Sequence, residues 1–145
     1  MRTIFALILL AFTPLVFAGH HEPGENVVVF TIDFTVAEGK AEQAREFTSR
    51  ITPFVKETEP GTTGYGYYFT PDGSKCLLLE VYKDSDSALK HVNDFVNGDF
   101  QEEFFTYFVA WDFQILGPAK PDLLAALEGF TTDHRPLEQG FSRPQ

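Results

Sequence analysis

Cysteine is almost absent from this chain. Cys76 is the single one among 145 residues, so no intrachain disulfide can form and no cysteine-rich zinc site can be built. Cys76 lies inside the run K-C-L-L-L-E-V-Y and reads as a small strand residue. Basic residues are also scarce. Lys and Arg number 11 against 21 Asp and Glu, for a formal charge of −10. There is no basic stripe, and an acidic protein repels phosphate backbones, so nucleic acid is excluded as a partner. No G-x-S-x-G elbow, phosphate loop, dinucleotide fingerprint or H-E-x-x-H occurs, which removes the hydrolase, kinase and dehydrogenase readings. No internal repeat or low-complexity segment is present.

Long apolar runs are confined to the start. Residues 1–18 carry Arg2, an apolar run from Ile4 to Val16 broken by Thr13 and Pro14, and Val16 and Ala18 ahead of a polar stretch. This pattern is that of a secretory signal peptide cut after Ala18. The run is short for a bilayer span, so no stable membrane insertion is expected after cleavage. The expected location is secreted or periplasmic.

What the chain has in quantity is apolar and aromatic side chains. Apolar residues make up 43% of it and phenylalanine alone contributes 16, enough for a substantial core in one domain. Val28, Phe30, Ile32, Phe34 and Val36 alternate with Val29, Thr31, Asp33 and Thr35, the period of a half-buried strand. A helical stripe of Ala41, Ala44, Phe47, Ile51, Phe54 and Val55 predicts a helix over about 37–57, kinked or ended near Thr52 by Pro53.

After the Pro60-Gly61 turn, Thr63–Thr70 puts Tyr65, Tyr67 and Phe69 on one strand face. Pro71-Asp72-Gly73 predicts a tight hairpin with primed turn geometry. Lys75–Tyr82 returns with Cys76, Leu78, Glu80 and Tyr82 on one face. Asp84 to Ser87 offers N-caps for a helix through about Phe95, with Ala88, His91, Val92 and Phe95 on its inward stripe. A short aromatic helix over 100–108 and a strand over 109–116 follow, the latter with Val109, Trp111, Phe113 and Ile115 on one side.

The expected order is β-α-β-β-α-β, an α+β ferredoxin-like fold with a four-stranded antiparallel sheet. Its domain spans residues 26–118. Residues 119–145 form a docked extension, with a helix over 121–130, a short extra strand within 131–135 and Phe141 as an anchor. Apolar residues on the second sheet face predict a homodimer that covers it.

Segments E-P-G-T-T-G-Y at 59–65, C-L-L-L-E-V-Y at 76–82 and S-D-S-A-L-K-H at 85–91 resemble the antibiotic biosynthesis monooxygenase (ABM) domain family, of the dimeric α+β barrel superfamily. The aromatic helix and last strand follow in the family's order. The resemblance implies a homodimer with a hydrophobic cavity between sheet and helices. It also implies a cofactor-independent monooxygenase acting on a small aromatic or quinol-type substrate. The haem-degrading branch uses an asparagine, a tryptophan and a histidine. Here His91 sits in the matching helix, whereas Trp111 lies instead on the last strand and Asn26 precedes the first strand rather than lying within it.

His91 is the candidate catalytic base, since its ordinary pKa lies near neutrality. The plainer role is a helix histidine bonded to a backbone group or a tyrosine. Tyr65, Tyr67, Trp111 and Asn93 are candidate substrate-binding residues, through hydroxyl, stacking and amide contacts. The three aromatic ones serve equally as core or interface packing, and Asn93 as a helix cap. No cofactor is expected, and no metal site, because His20, His21 and His134 make a poor ligand set. The alternative function is a secreted, non-enzymatic binding or stress-related module of the same fold, with a small hydrophobic or aromatic ligand.

Overall fold

Alternating apolar residues and two amphipathic helices sort this chain into two layers. The computed structural model describes residues 26–140; the signal-peptide reading and the Phe141 anchor lie outside them. In chain order the elements are β1 (Val28–Val36), α1 (Ala41–Thr58), β2 (Thr62–Phe69), β3 (Lys75–Tyr82), α2 (Ser85–Asn97), α3 (Phe100–Tyr107), β4 (Phe108–Leu116), α4 (Pro121–Leu127) and β5 (His134–Arg135). The sheet order is β2-β3-β1-β4-β5. β1 to β4 pair antiparallel, as the ferredoxin-like order requires, and β5 adds to the β4 edge in parallel.

The inner face of the sheet carries the core. Val28, Phe30, Ile32, Phe34 and Val36 are buried there, with Cys76, Leu78 and Tyr82 from β3 and Phe113 and Ile115 from β4. Phe47, Ile51 and Val55 of α1 and Ala88 and Val92 of α2 close over them. The outer face is mixed. Thr31 donates to Gln114 Oε1 at 2.8 Å, and Asp33 pairs in register with Asp112. Apolar surface on this face includes Tyr68 and Leu77 of the β2–β3 half, 59% and 38% exposed, and Val109 of β4.

Three details differ from the sequence expectation. α1 starts at Ala41, not at residue 37, because Gly39 takes a positive φ of 70° and forms a turn first. Pro53 does not end α1, which runs on to Thr58. Ile51 and Val55 on either side are buried, and the Glu59 N–H donates to Val55 O at 2.9 Å. Core packing therefore holds the turn that the proline weakens. The β2–β3 hairpin is not a primed two-residue turn, since Asp72 keeps a negative φ and Gly73 alone is positive. Asp72 Oδ1 accepts from Thr70 Oγ1 at 2.6 Å and from Ser74 N at 3.1 Å, which stabilises a longer loop.

A bulge at Thr35/Val36 sets the register of β4. Phe108 comes inward opposite Val36 and is fully buried, while Val109 is left 53% exposed. The expected one-sided row of Val109, Trp111, Phe113 and Ile115 therefore loses its first member. α4 docks on α2 through a backbone tie, Lys120 N donating to Ser85 Oγ at 2.9 Å. Leu123 and Leu127 of α4 join the core. The helix of the extension is thus part of the helical layer, while its strand β5 joins the sheet.

Candidate functional site

One row of residues crosses the inner sheet face: Tyr65, Glu80, Phe30 and Ile115 are successive register partners on β2, β3, β1 and β4. Period-2 alternation alone puts Glu80 indoors, beside Leu78 and Tyr82. It is 2% exposed. A buried carboxylate needs partners. Tyr82 donates to Glu80 Oε2 at 2.8 Å, and His91 Nε2 stands 3.3 Å from Glu80 Oε1.

His91 comes from above. Asp84 caps α2 by accepting from Ser87 N at 2.8 Å, and the helical stripe of Ala88, His91 and Val92 faces the sheet. On its other side, His91 Nδ1 is 2.8 Å from Glu59 Oε2. Glu59 follows α1 directly and is 4% exposed. Its carboxylate also accepts from Thr62 Oγ1 at 2.9 Å. Gly61 makes this approach possible, since a Cβ there would sit 2.4 Å from Ser87 Oγ. The turn after α1 is thereby pressed against the start of α2, which brings Glu59 within reach of His91.

The result is a buried line, Glu59–His91–Glu80, with a carboxylate on each ring nitrogen. Burial by itself lowers the His91 pKa, but the charge of Glu80 and the hydrogen bond to Glu59 outweigh it and raise the value to about 10. His91 is an imidazolium at neutral pH, with both N–H groups donating. The rings of Tyr65 and Tyr82, 5.9 and 5.5 Å from its own, add aromatic faces beside the cation. Burial, reinforced by neighbouring carboxylates, holds the Tyr65 and Tyr82 hydroxyls well above their ordinary pKa. They are donors, not bases.

Two cavities meet at His91. The inner chamber, of about 70 Å³, lies between sheet and helices. Its polar corner is Tyr65, Glu80 and His91; its walls include Phe30, Phe34, Phe95, Phe104 and Phe113. Its outer rim is aromatic. Phe105 stacks on Phe130, Trp111 lies 5.7 Å from Phe105, and Trp111 Nε1 donates to Phe130 O at 3.1 Å. The second cavity, an outer cleft of about 430 Å³, runs between α1, α2 and the start of α3 and has Glu59 and His91 at its base.

The structure brings together His91, Tyr65 and Trp111 on the chamber. Tyr67 lies behind Tyr65, the two hydroxyls 2.9 Å apart. Asn93 stands apart: it is exposed, lines the outer cleft, and its carbonyl accepts from Asn97 Nδ2 at 2.7 Å. Sequence reasoning missed Glu80 and Glu59. The signal for Glu80 was available, a carboxylate at an inward position of an apolar strand. For Glu59 there was none, since a glutamate before Pro-Gly reads as a turn residue. Among the described residues no group of three or more His, Cys, Asp or Glu is arranged to hold a metal ion.

No protein-family model matches the chain, and no curated protein sequence matches it. Solved structures do. MupZ from Pseudomonas fluorescens is 25% identical, with a TM-score of 0.68 over 84% of this chain and 93% of its own. The cofactor-independent oxygenase SnoaB from Streptomyces nogalater, solved as a point mutant, is 14% identical, with a TM-score of 0.55 over 66% and 95% of the two chains. A putative antibiotic biosynthesis monooxygenase from Bacteroides thetaiotaomicron is 14% identical, with a TM-score of 0.54 over 67% and 93%. With its ferredoxin-like core and chamber between sheet and helices, the chain has the fold of these proteins, a cofactor-independent oxygenase and a putative antibiotic biosynthesis monooxygenase among them.

Proposed function

We propose that this protein is a cofactor-independent monooxygenase acting on a small aromatic or quinol-type substrate. One observation carries the reading: a buried imidazolium held between two carboxylates, at the polar corner of an otherwise apolar chamber. The fold shared with a cofactor-independent oxygenase supports it.

In this proposal the roles are redistributed. His91 already carries its proton at neutral pH, so the base is the Glu80 carboxylate. Glu80 takes the phenolic proton of the substrate, and the His91 Nε2–H stabilises the oxyanion that forms. Tyr65, positioned by Tyr67, donates to a second substrate oxygen, and Trp111 stacks at the rim. The electron-rich anion passes one electron to dioxygen. The radical pair recombines as a C–O bond, and the proton on Glu80 returns to the peroxide. At a CH2 carbon, the proton that Glu80 takes is instead one of the two C–H protons, its charge passing to a conjugated oxygen; the hydroperoxide CH–OOH then loses water, so that CH2 and O2 become C=O and H2O. Apolar walls exclude bulk water from the anion.

The test is oxygen uptake with a panel of quinols and hydroxyaromatic CH2 compounds. Glu80→Gln, checked for folding by circular dichroism, is expected to lower kcat by about 100-fold or more. Absence of uptake by the intact protein, or an unchanged rate in Glu80→Gln, overturns the reading.

The finer assembly and location are part of the same proposal. The apolar β2–β3 half of the outer face pairs with a second copy to form the dimeric barrel, and the first eighteen residues direct the chain out of the cytoplasm. No described helix is long and apolar enough to cross a membrane.

A second reading, a binding or stress-related module without turnover, is favoured by chamber size. About 70 Å³ is well below the ~150 Å³ of an apolar cavity that takes up benzene. A ring is admitted only if Phe105, Trp111 and Phe130 swing outward. A module would bind aromatic compounds and consume no oxygen.

A further inference from the structure

The outer cleft is the larger of the two cavities at His91, and the proposed chemistry does not use it. Its volume, about 430 Å³, lies within the size range of small-molecule sites. Its walls are Phe54 and Phe100, whose rings are 5.1 Å apart, with Ile51 and Val55 behind. Phe54 is 45% exposed, a large aromatic face presented to solvent.

Every uncommitted charge in the cleft is negative. At the base, Glu59 is 4% exposed. Its Oε2 accepts from both Thr62 and His91, and among the described residues its Oε1 accepts no hydrogen bond. Two buried carboxylates share the single cation of His91, so the line Glu59–His91–Glu80 is one positive charge short. Asp99 stands at the lip, at the N-cap position of α3, yet its side chain makes no capping bond. Asp94, the other lining carboxylate, is already paired with Lys90. Thr58 and Glu59, at the C-terminal and therefore negative end of the α1 dipole, line the same space.

We propose that this cleft binds a small organic cation: an ammonium group carried on an apolar body. The ammonium sits against Glu59 Oε1 and the Phe54 and Phe100 faces, with Asp99 completing its cage. Such a ligand supplies the positive charge that the buried line lacks. The helices form the outer layer of the domain, so the cleft stays open when the opposite sheet face is covered. The inference does not rest on oxygenase activity.

The probes are benzyltrimethylammonium, benzyl alcohol and benzenesulfonate, titrated into the full protein by calorimetry and by amide chemical-shift mapping. The cation is expected to bind about tenfold more tightly than the neutral alcohol, the sulfonate more weakly than either, and the shifts to centre on Phe54, Asp99 and Phe100. Glu59→Gln is expected to weaken cation binding about tenfold while leaving the alcohol unchanged. Asp99→Asn and Phe54→Ala, both at exposed positions, carry the same test if Glu59→Gln fails to fold. Equal affinity for cation and alcohol, shifts centred elsewhere, or full cation affinity in the folded variants overturns the proposal. Oxygen uptake is measured separately, so either idea can fail while the other stands.

Discussion

Replacing His91 with glutamine is the sharpest test of the buried charge line. The new amide keeps roughly the volume and some hydrogen bonding but removes the cation. Glu59 and Glu80 then lie buried with no positive partner. Breaking a buried ion pair from one side costs about 3–5 kcal/mol. The rise of the His91 pKa from 6.5 to about 10 leads to the same place, since each unit is worth ~1.4 kcal/mol, or about 5 kcal/mol at the upper limit. For a domain of this size that lowers Tm by roughly 10–20 °C. The folded-state pKa lies above the unfolded one, so the stabilisation is complete below about pH 6.5 and drains away as pH rises towards about 10. Urea unfolding of wild type and His91→Gln at several pH values between 6 and 10 measures both effects. Wild type should lose stability across that window, and the variant should start lower and respond less. A triple variant with glutamine at positions 59, 80 and 91 should recover part of the loss, because no charge is then left unpaired. A cost below about 1 kcal/mol for His91→Gln, or a wild type that gains stability as pH rises, would refute the reasoning.

Other outcomes follow from smaller features. Asp84→Ala removes the acceptor that Ser87 N and Oγ share, and denaturant unfolding should show a loss of about 1 kcal/mol; no loss means the cap is not stabilising. Cys76 is fully buried, and burial pushes its thiol up to about 12, so a disulfide reagent at neutral pH should label it in urea and not in the native state. Sedimentation at micromolar concentration should give twice the chain mass, and Leu77→Lys on the outer sheet face should shift it towards one chain; a wild-type monomer rules out the twin-sheet assembly.

Much of the fold was legible because it depends on local periodicity. Alternation along β1, β2 and β3 sorts their side chains by face whatever the surroundings, and the α2 stripe puts His91 inward by the same logic. Errors arose where longer-range packing overrules a local signal. Pro53 weakens one turn, but buried Ile51 and Val55 keep α1 intact beyond it. Asp72-Gly73 favours a primed turn, yet the Asp72 side chain organises a longer loop. The bulge at Val36 turns Val109 outward through a pairing between strands more than seventy residues apart in sequence.

The site divides the same way. Residue order and spacing by themselves determined a two-layer α+β domain, an apolar interior and a histidine facing it. Only the tertiary structure decided what that histidine is. Glu59 and Glu80 reach it from the end of one helix and the middle of a strand, 32 and 11 positions away in the chain, and their charges turn a group that titrates near neutrality into a standing cation. Periodicity reports which way a side chain points. Electrostatics depends on what stands within a few ångströms of it, and that is settled when the layers pack.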